Sequence, residues 1–269
     1  MELSRRLRLK PGDRVHLLAV DPAGTHGFEK GEELDKALTK NVARLDELQY
    51  LLYAEHRRAL LVVLQGMDAS GKDGTIRHVM TGFNPQGCRV TPFKTPTPVE
   101  LGHDFLWRVH QVVPGKGDVA IFNRSHYEDI VVVRVHKLVP TNVWEGRYDQ
   151  IKDFERYLAE NDVVIVKFFL HISKEEQKQR LQRRLDDPKR QWKVSLSDFE
   201  DRKQWKDYQR AYEDALTECN TKEAPWYVVP ADKKWFRNLA VSQILVETLE
   251  ALDMHFPKPT VDLSRVKVE

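Results

Sequence analysis

The chain has 269 residues, of which 41% are hydrophobic and 31% are charged, and its formal net charge is +2. This composition is typical of a globular protein with one large domain or two small ones. Apolar runs such as residues 60–64 and 163–166 are far shorter than a membrane span, and the basic N-terminus lacks the apolar segment of a secretory signal. Two cysteines are too few for a disulfide framework. We therefore expect a cytoplasmic protein with no membrane partner.

Positive charge is concentrated in one stretch of the chain. Residues 174–193 contain eight Lys or Arg residues and four acids, a local charge of +4, so the rest of the chain is slightly acidic. A cationic stretch on a nearly neutral protein indicates a local anion site better than general nucleic-acid binding.

The first 57 residues differ from those that follow. Residues 11–31 are irregular, and residues 32–57 form a predicted amphipathic helix with leucines at helical spacing. We expect this helix to pack on the rest of the chain or on a partner subunit. The predicted organisation is an N-terminal extension at 1–57, a central domain at 58–256 and a loosely held tail at 257–269.

From residue 60 onward, apolar runs alternate with helical patterns, which is typical of an α/β fold with a parallel sheet. The predicted strands are 60–65, 89–93, 119–122, 163–170 and 226–229. The predicted helices are 72–81, one from 98 through 109 opened by a capping box of Thr97 and Glu100, 148–158, a basic helix capped by Ser173, one capped by Ser197 and running to 216, and 235–252.

The stretch GMDASGKDGT, residues 66–75, has the spacing G-x-x-x-x-G-K of a phosphate-binding loop. An apolar strand precedes it and a helix follows it, as the mechanism requires, whereas the alternative is an ordinary glycine turn. Lys72 would place its charge on the phosphates. The other predicted phosphate-binding residues of the loop are Gly66, Ala69, Ser70, Gly71, Asp73, Gly74 and Thr75. Asp73 stands where Ser or Thr would usually help to hold Mg²⁺, and Asp68 is a second acid inside the loop.

A second polar cluster follows the third predicted strand, in the stretch FNRSHYED at 122–129. A carboxylate near the end of such a strand often helps to hold Mg²⁺, but this chain has Asn123 there, followed by Arg124. The alternative is a salt-bridged start of a helix. We assign nucleotide binding to Asn123, Glu128, Asp129 and Arg134, and a role as a metal ligand to Asn123.

The third element is the cationic stretch itself, in which Asp187-Pro188 interrupts a basic helix. A mobile lid over phosphates would need this order of elements: a helix, a break, a cationic segment and a second helix. The alternative is a solvated helix face. We place the lid at about residues 180–200 and assign phosphate binding to Arg183, Lys189, Arg190 and Lys193.

These three segments together resemble the polyphosphate kinase 2 family. The resemblance also includes APWYVVPADKKWFRN at 224–238, and covers roughly residues 34–254. It implies an α/β fold, a P-loop kinase-like doubly wound sheet of about five parallel strands flanked by helices, with a helical lid. Many members read FDRS where this chain reads FNRS, and the Asn version is similar to the class III subgroup, which phosphorylates nucleoside mono- and diphosphates.

The resemblance implies a reaction and roles for particular residues. The enzyme would transfer the terminal phosphoryl group of inorganic polyphosphate to AMP and ADP, reversibly, with Mg²⁺ or alternatively Mn²⁺. Asp68 would bind the metal or take a proton from the acceptor, and Lys72, Arg124 and the lid residue Arg184 would stabilise charge on the transferred group. Asp73 would orient a metal-bound water or interact with the helix dipole. A homo-oligomer, dimer or tetramer, is implied, and guanine nucleotides are further candidate acceptors.

Two other functions fit parts of the sequence. An ATP-dependent P-loop nucleoside monophosphate kinase would have a similar loop and a similar basic lid. A P-loop nucleic-acid-binding protein would use the stretch at 174–193, although we expect no nucleic-acid partner because the rest of the chain carries little net charge.

Overall fold

The computed structural model describes residues 2–266 and 268. Its centre is a sheet of five parallel strands in the order β2-β3-β1-β4-β5. The strands are β1 (Ala59–Gln65), β2 (Cys88–Pro92), β3 (Val119–Asn123), β4 (Val163–His171) and β5 (Trp226–Pro230). Each predicted strand is present within a residue or two of its expected bounds, so the predicted α/β, doubly wound architecture is confirmed.

Helices cover both faces of the sheet. They are α1 (Glu2–Leu7), α2 (Glu32–Glu55), α3 (Lys72–Val79), α4 (Pro98–Leu101), α5 (Trp107–His110), α6 (Glu128–Val135), α7 (Thr141–Glu160), α8 (Lys174–Asp186), α9 (Leu196–Lys203), α10 (Trp205–Glu218) and α11 (Lys234–Glu250). In β1, Leu61 and Val63 pack on α6, α7 and α10, whereas Leu60, Val62 and Leu64 pack on α1, α2, α3 and α11. Because both faces are covered, β1 is apolar at almost every position.

The helix predicted from residue 98 to 109 is wrong as a single element. The capping box of Thr97 and Glu100 is present, but α4 ends at Leu101, where the amide of Gly102 donates to the carbonyl oxygens of Pro98 and Val99. A new turn then begins, with the amide of Leu106 donating to Asp104 Oδ1 at 2.9 Å. The glycine and the aspartate break one amphipathic pattern into α4 and α5.

The predicted helix capped by Ser197 also differs. Ser195 is the N-cap residue, accepting a hydrogen bond from the amide of Ser197, and α9 ends at Lys203. The helix α10 begins at Trp205, and Gln204 between them has φ −90° and ψ 22°, outside the helical values. The short helix α1 was not predicted.

The predicted N-terminal helix is present as α2, and it packs on the same chain. Its leucines Leu34, Leu45, Leu48 and Leu52 are buried, and α11 is its main neighbour. Arg44 of α2 donates from Nε to Glu250 Oε1 at 2.9 Å. The apolar face of α2 is therefore occupied by its own chain.

The end of the chain is extended and exposed. Beyond α11 the structure describes a 3₁₀ turn at Leu263–Arg265, and residues 257–264 are exposed. Two positions of the predicted tail, 267 and 269, lie outside the described residues. Throughout the described chain, no helix is both long and apolar enough to cross a membrane.

Candidate active site

The carboxyl ends of the central strands form the floor of the site. Because β1, β3 and β4 are parallel, Leu64 of β1 lies opposite Asn123 in β3 and Phe168 in β4. The phosphate loop, residues 66–75, leaves β1 at this edge. Ligands of open α/β sheets bind at the carboxyl ends of the strands, so the loop and the end of β3 are brought together where a ligand is expected.

The phosphate loop makes close backbone contacts that require glycine. Gly66 has φ +146° and Gly71 has φ +113°. A Cβ on Gly66 would lie 2.7 Å from the carbonyl oxygen of Leu170, and a Cβ on Gly71 would lie 1.8 Å from Nη1 of Arg237. The backbone of Leu170 leaves no room for a side chain at Gly66, and at Gly71 the positive φ favours glycine while a side chain would displace Arg237. The loop leads directly into α3, whose first amides are available to an anion.

Lys72, the first residue of α3, is buried under the loop. Its Nζ donates to the carbonyl oxygens of Gly66 and Met67 at 2.7 and 3.3 Å, and the residue is 8% exposed. Burial and the nearby charge of Arg124 lower the pKa of Lys72 to about 8. The ammonium group is therefore mostly charged at pH 7 and is held in place beside the loop.

Each acid of the loop lies against a basic group. Asp68 Oδ1 accepts a hydrogen bond from Nη2 of Arg124 at 2.6 Å. Asp73 Oδ1 accepts one from Nδ2 of Asn123 at 3.0 Å, and Asp73 Oδ2 accepts one from Nζ of Lys193 at 3.1 Å. Partial burial raises the pKa of Asp73, but the hydrogen bonds from Asn123 and Lys193 outweigh it and hold this pKa below its usual value. Two carboxylates are thus tolerated in an anion-binding loop because cations neutralise them.

Arg124 joins the loop to the residues that follow β3. It has a left-handed backbone with φ +64°, and its Nη1 lies 3.4 Å from Oε2 of Glu128. The charge of Glu128 and, after the opposing effect of burial, that of Asp68 raise the pKa of Arg124. Burial raises the pKa of Glu128, against the effect of Arg124. The guanidinium group is therefore always charged and is positioned by two carboxylates.

The predicted lid lies over the loop. Its cationic segment forms a 3₁₀ turn at Gln191–Lys193 between α8 and α9, and Lys193 reaches Asp73 in the loop. Arg184 Nη1 donates to Asp198 Oδ2 at 3.0 Å, which joins α8 to α9. Arg183 and Arg190 pair with Glu176 and Asp187. The segment is folded against the site and is not a free basic helix face.

These elements enclose one cleft of about 1390 Å³. The predicted residues that line it are Asp68, Ala69, Gly71, Lys72, Asp73, Gly74, Asn123, Arg124, Arg183, Arg184, Lys189, Arg190 and Lys193. Gly66, Ser70 and Thr75 belong to the loop but are buried behind its surface. The structure therefore brings most of the predicted phosphate-site residues together.

The cleft also contains basic side chains that were not predicted to belong to it. They are Arg77, Arg180, Lys234 and Arg237, together with the imidazole of His78. Arg77 and His78 follow Gly74 by three and four residues, so helical spacing alone could have placed them on the same face of α3 as that glycine. Lys234 and Arg237 begin α11, within the stretch 224–238 whose family resemblance was noted but to which no role was given.

Arg180 holds the loop from behind. Its guanidinium group is buried and donates to four backbone carbonyl oxygens, those of Ala69, Ser70, Ala231 and Asp232, at 2.6 to 2.9 Å. Its Nε also donates to Glu176 Oε1 at 2.8 Å. Arg180 therefore ties the phosphate loop to the end of β5, and every part of its fork is used within the protein.

Three residues predicted to bind nucleotide do not line the cleft. Glu128 is partly buried beside Arg124, and Asp129 Oδ2 accepts a hydrogen bond from Arg108 at 3.0 Å. Arg134 donates to Asp214 Oδ2 at 2.6 Å and stacks 4.5 Å above the ring of Trp144. Asp129 lies in the first turn of α6 and Arg134 in its last turn, and both side chains are paired within the protein. Their assignment to nucleotide binding stays a prediction. Asn123 is the member of this group that borders the cleft.

Comparison with known proteins places the chain in a family. The family model described as polyphosphate kinase 2 matches residues 29–257. The chain is 54% identical over 266 residues to the AMP/ADP-polyphosphate phosphotransferase of Meiothermus ruber, covering 98% of this chain and 100% of the relative. It is 44% identical over 273 residues to the ADP-polyphosphate phosphotransferase of Rhodopseudomonas palustris, covering 96% and 93%.

A solved structure agrees with these sequence relatives. The crystal structure of polyphosphate kinase 2 from Arthrobacter aurescens TC1 superposes with a TM-score of 0.92 at 43% identity, covering 97% of this chain and 94% of that chain. The similarity therefore extends over the sheet, the loop, the lid and the N-terminal helices. The chain belongs to the polyphosphate kinase 2 family, and it is a phosphotransferase enzyme.

Proposed function

We propose that the protein transfers the terminal phosphoryl group of inorganic polyphosphate to AMP and ADP, reversibly and with Mg²⁺. The observation that carries this proposal is that one cleft contains both a group of basic side chains and a group of carboxylate and amide oxygens. Arg180, Arg183, Lys234 and Arg237 lie together, and Lys234 has a pKa lowered by burial and by the three arginines. The carboxylate and amide oxygens are those of Asp68, Asp73 and Asn123. A long phosphate chain suits the basic group, and a metal-bound nucleotide phosphate suits the group with carboxylates.

The names of the relatives support the same substrates. A protein 54% identical over nearly the whole chain is named as an AMP/ADP-polyphosphate phosphotransferase, and one 44% identical is named as an ADP-polyphosphate phosphotransferase. In the reaction, an oxygen of the acceptor phosphate forms a bond to the terminal phosphorus of polyphosphate. The bond from that phosphorus to the bridging oxygen breaks, and its electron pair stays on the shortened chain.

The residues of the site can stabilise the charge that spreads over the transferred group. Lys72 and the loop amides would bind its oxygens, Arg124 would contact it from the β3 side, and Arg184 would contact it from the lid. Asp68 would hold Arg124 in place through their 2.6 Å contact and would bind the metal or the acceptor. Because little covalent chemistry is asked of the protein, positioning and electrostatics should dominate the rate.

The acids of the cleft fit a metal ion that is shared with the substrates. Among the described residues there is no group of three or more His, Cys, Asp or Glu side chains that could hold a metal alone. Mg²⁺ is commonly bound by one or two carboxylates together with substrate phosphates, and Asp68, Asp73 and the amide oxygen of Asn123 provide such a partial set. When bound, Mg²⁺ would neutralise charge on the phosphates, and Mn²⁺ is the expected substitute.

Donor choice separates this function from its alternatives. Purified protein with polyphosphate, Mg²⁺ and ADP, and no added ATP, should produce ATP, and with AMP it should produce ADP and then ATP. GMP and GDP then test the predicted use of guanine nucleotides. Phosphorylation of AMP by ATP without any use of polyphosphate would favour a nucleoside monophosphate kinase. Retention on DNA at physiological salt would favour the nucleic-acid-binding alternative.

The expected homo-oligomer and the cytoplasmic location stay predictions. The apolar face of α2 packs on α11 of the same chain, so α2 supplies no argument for a partner subunit. Light scattering of the purified protein would measure its mass directly, and a monomer would contradict the expected dimer or tetramer.

A further inference from the structure

Arg237, three residues after the start of α11, is a buried cation without an acidic partner. The residue is 2% exposed, and its Nε and Nη2 donate only to Oδ1 of its neighbour Asn238, at 3.2 and 2.8 Å. Throughout the described part of the chain, no carboxylate lies within 4.0 Å of its guanidinium group. A buried charge without a counter-charge is costly, and its retention indicates a ligand that supplies the missing anion.

Its neighbour Arg180 makes the contrast clear. Arg180 is also buried, but it pairs with Glu176 and donates to four carbonyl oxygens. Burial and the charge of Arg180 together lower the pKa of Arg237 to about 9, which leaves it protonated at neutral pH. Of these two neighbouring cations, Arg180 has a carboxylate partner and Arg237 has none. This difference points to an anionic ligand beside Arg237.

The guanidinium group of Arg237 lies against the first turn of α3. A Cβ on Gly71 would be 1.8 Å from its Nη1, and a Cβ on Gly74 would be 3.0 Å from its Nη2. Because Gly71 and Gly74 have no side chains, the guanidinium group of Arg237 can lie beside the amides at the N-terminus of α3. Fixed donors from the side chain and the helix amides then converge at one edge of the cleft that Arg237 lines.

The lid cations differ from Arg237 in a way that matters for binding. Arg183, Arg184 and Lys193 pair with Glu176, Asp198 and Asp73, and each must leave or share its acid to bind a phosphate. Arg237 belongs to the helix that packs on β5 and α2, and its donors are unshared with any acid. It is in place before any ligand arrives.

We propose that Arg237 is a fixed phosphate-binding residue for the polyphosphate donor, retained at the expense of the stability of the empty protein. This inference rests on the proposed function, since it takes polyphosphate as the anion. Arg237 and the amides of α3 bind one phosphate group of the chain on the side of the loop away from Asp68. In the unliganded protein the charge of Arg237 has no counter-charge, and bound polyphosphate would supply one.

Thermal unfolding with and without inorganic tripolyphosphate, in the absence of nucleotide and Mg²⁺, tests the proposal. Arg237→Met removes the charge at similar length, and Arg156→Met, an exposed arginine of α7 outside the cleft, is the matched control. Without anion, Arg237→Met should unfold at the same Tm as the parent or a higher one. The rise in Tm caused by tripolyphosphate should fall by half or more, whereas Arg156→Met should keep it.

Kinetics supply a second readout. Arg237→Met should raise the KM for polyphosphate about 10- to 100-fold, as expected for loss of a charged hydrogen bond, with the KM for ADP unchanged within about twofold. If Arg237→Met does not fold, Arg237→Lys carries the test, because it keeps the charge without the fork. It should raise the KM for polyphosphate at an unchanged Tm without anion.

The outcomes separate the inference from the proposed function. A lower Tm of Arg237→Met without anion, together with the full tripolyphosphate shift, would make Arg237 a structural residue and overturn the inference. Arg237→Lys with the parent KM for polyphosphate would do the same. A parent protein that is stabilised by ATP and not by tripolyphosphate would instead contradict the proposed function.

Discussion

At the scale of single residues, the two acids of the phosphate loop are the most unusual feature. Asp68 and Asp73 lie among groups that we propose to bind phosphate, yet each accepts a hydrogen bond from a cation, Arg124 or Lys193. In the proposed reaction both substrates are polyanions, so a loop made only of cations could not hold the metal ion that they need. Asp68 and Asp73 would then supply carboxylate oxygens to a metal ion, while Arg124 and Lys193 would supply donors to the phosphates.

Substitution of Asp68 tests this interpretation. Asp68→Asn should lower kcat by about 10²- to 10³-fold, because it removes a metal ligand and loosens Arg124 at the reacting phosphate. More nucleotide should not restore the rate. Asp162→Asn is the control, since Asp162 pairs with Lys116 outside the cleft. The measurement is the steady-state rate of each variant with both substrates saturating. Equal activity of the two variants would show that Asp68 is an ordinary surface acid.

The buried Lys72 predicts a pH dependence. Its pKa is lowered to about 8 by burial and by Arg124, and the charged form is the one that binds phosphate. Raising the pH through this pKa removes the proton and the charge, so kcat/KM should fall above about pH 8, whereas an unperturbed lysine would keep its charge to about pH 10. A profile of kcat/KM from pH 6 to 10 that stayed flat to pH 9.5 would contradict this role.

At the scale of elements, the sequence predicted what periodicity and loop chemistry determine. The strand β1, the loop after it and the start of α3 were placed correctly, because a continuous apolar run followed by G-x-x-x-x-G-K has few other structures. The breaks at Gly102 and Gln204 were missed, because the apolar pattern continues through both and only local hydrogen bonds interrupt it. The lid was located by its charge and its proline, but its pairing with acids depends on tertiary contacts.

The lid predicts a separation of kinetic effects. Arg184→Ala should lower kcat strongly, about 10²-fold or more, if Arg184 leaves Asp198 to meet the transferred group. Lys189→Ala should instead raise the KM for long polyphosphate, because this exposed lysine makes one of several screened contacts to a polyanion. Added salt should imitate Lys189→Ala and not Arg184→Ala. Rates with tripolyphosphate and with long polyphosphate provide the measurement, and equal profiles for the two variants would argue against a lid.

At the scale of the whole molecule, the N-terminal extension supports the site from behind. The helix α2 packs on α11, and α11 begins with the cleft residues Lys234 and Arg237. The sequence analysis could predict the apolar face of α2 but not its partner, because amphipathicity does not say which surface will cover it. The contacts of Arg134, which was assigned to nucleotide binding, could not be predicted either, because its partner Asp214 is 80 residues away in sequence.

A core substitution measures this support. Leu52 of α2 is 0% exposed, so Leu52→Ala should lower the free energy of unfolding by about 2–5 kcal/mol through lost burial and a cavity. Its neighbour Tyr53 is 51% exposed, and Tyr53→Ala should cost less than about 1 kcal/mol. Denaturant unfolding of both variants compares them directly. Equal, small losses would show that α2 contributes little to the stability of the domain.

The most direct test of the whole account is phosphoryl transfer in the absence of ATP. Purified protein is incubated with inorganic polyphosphate and Mg²⁺, first with ADP and then with AMP, and nucleotides are separated and quantified. We expect ATP from ADP, and ADP followed by ATP from AMP, with the product dependent on polyphosphate. Absence of product with polyphosphate, together with phosphorylation of AMP when ATP is the donor, would contradict it.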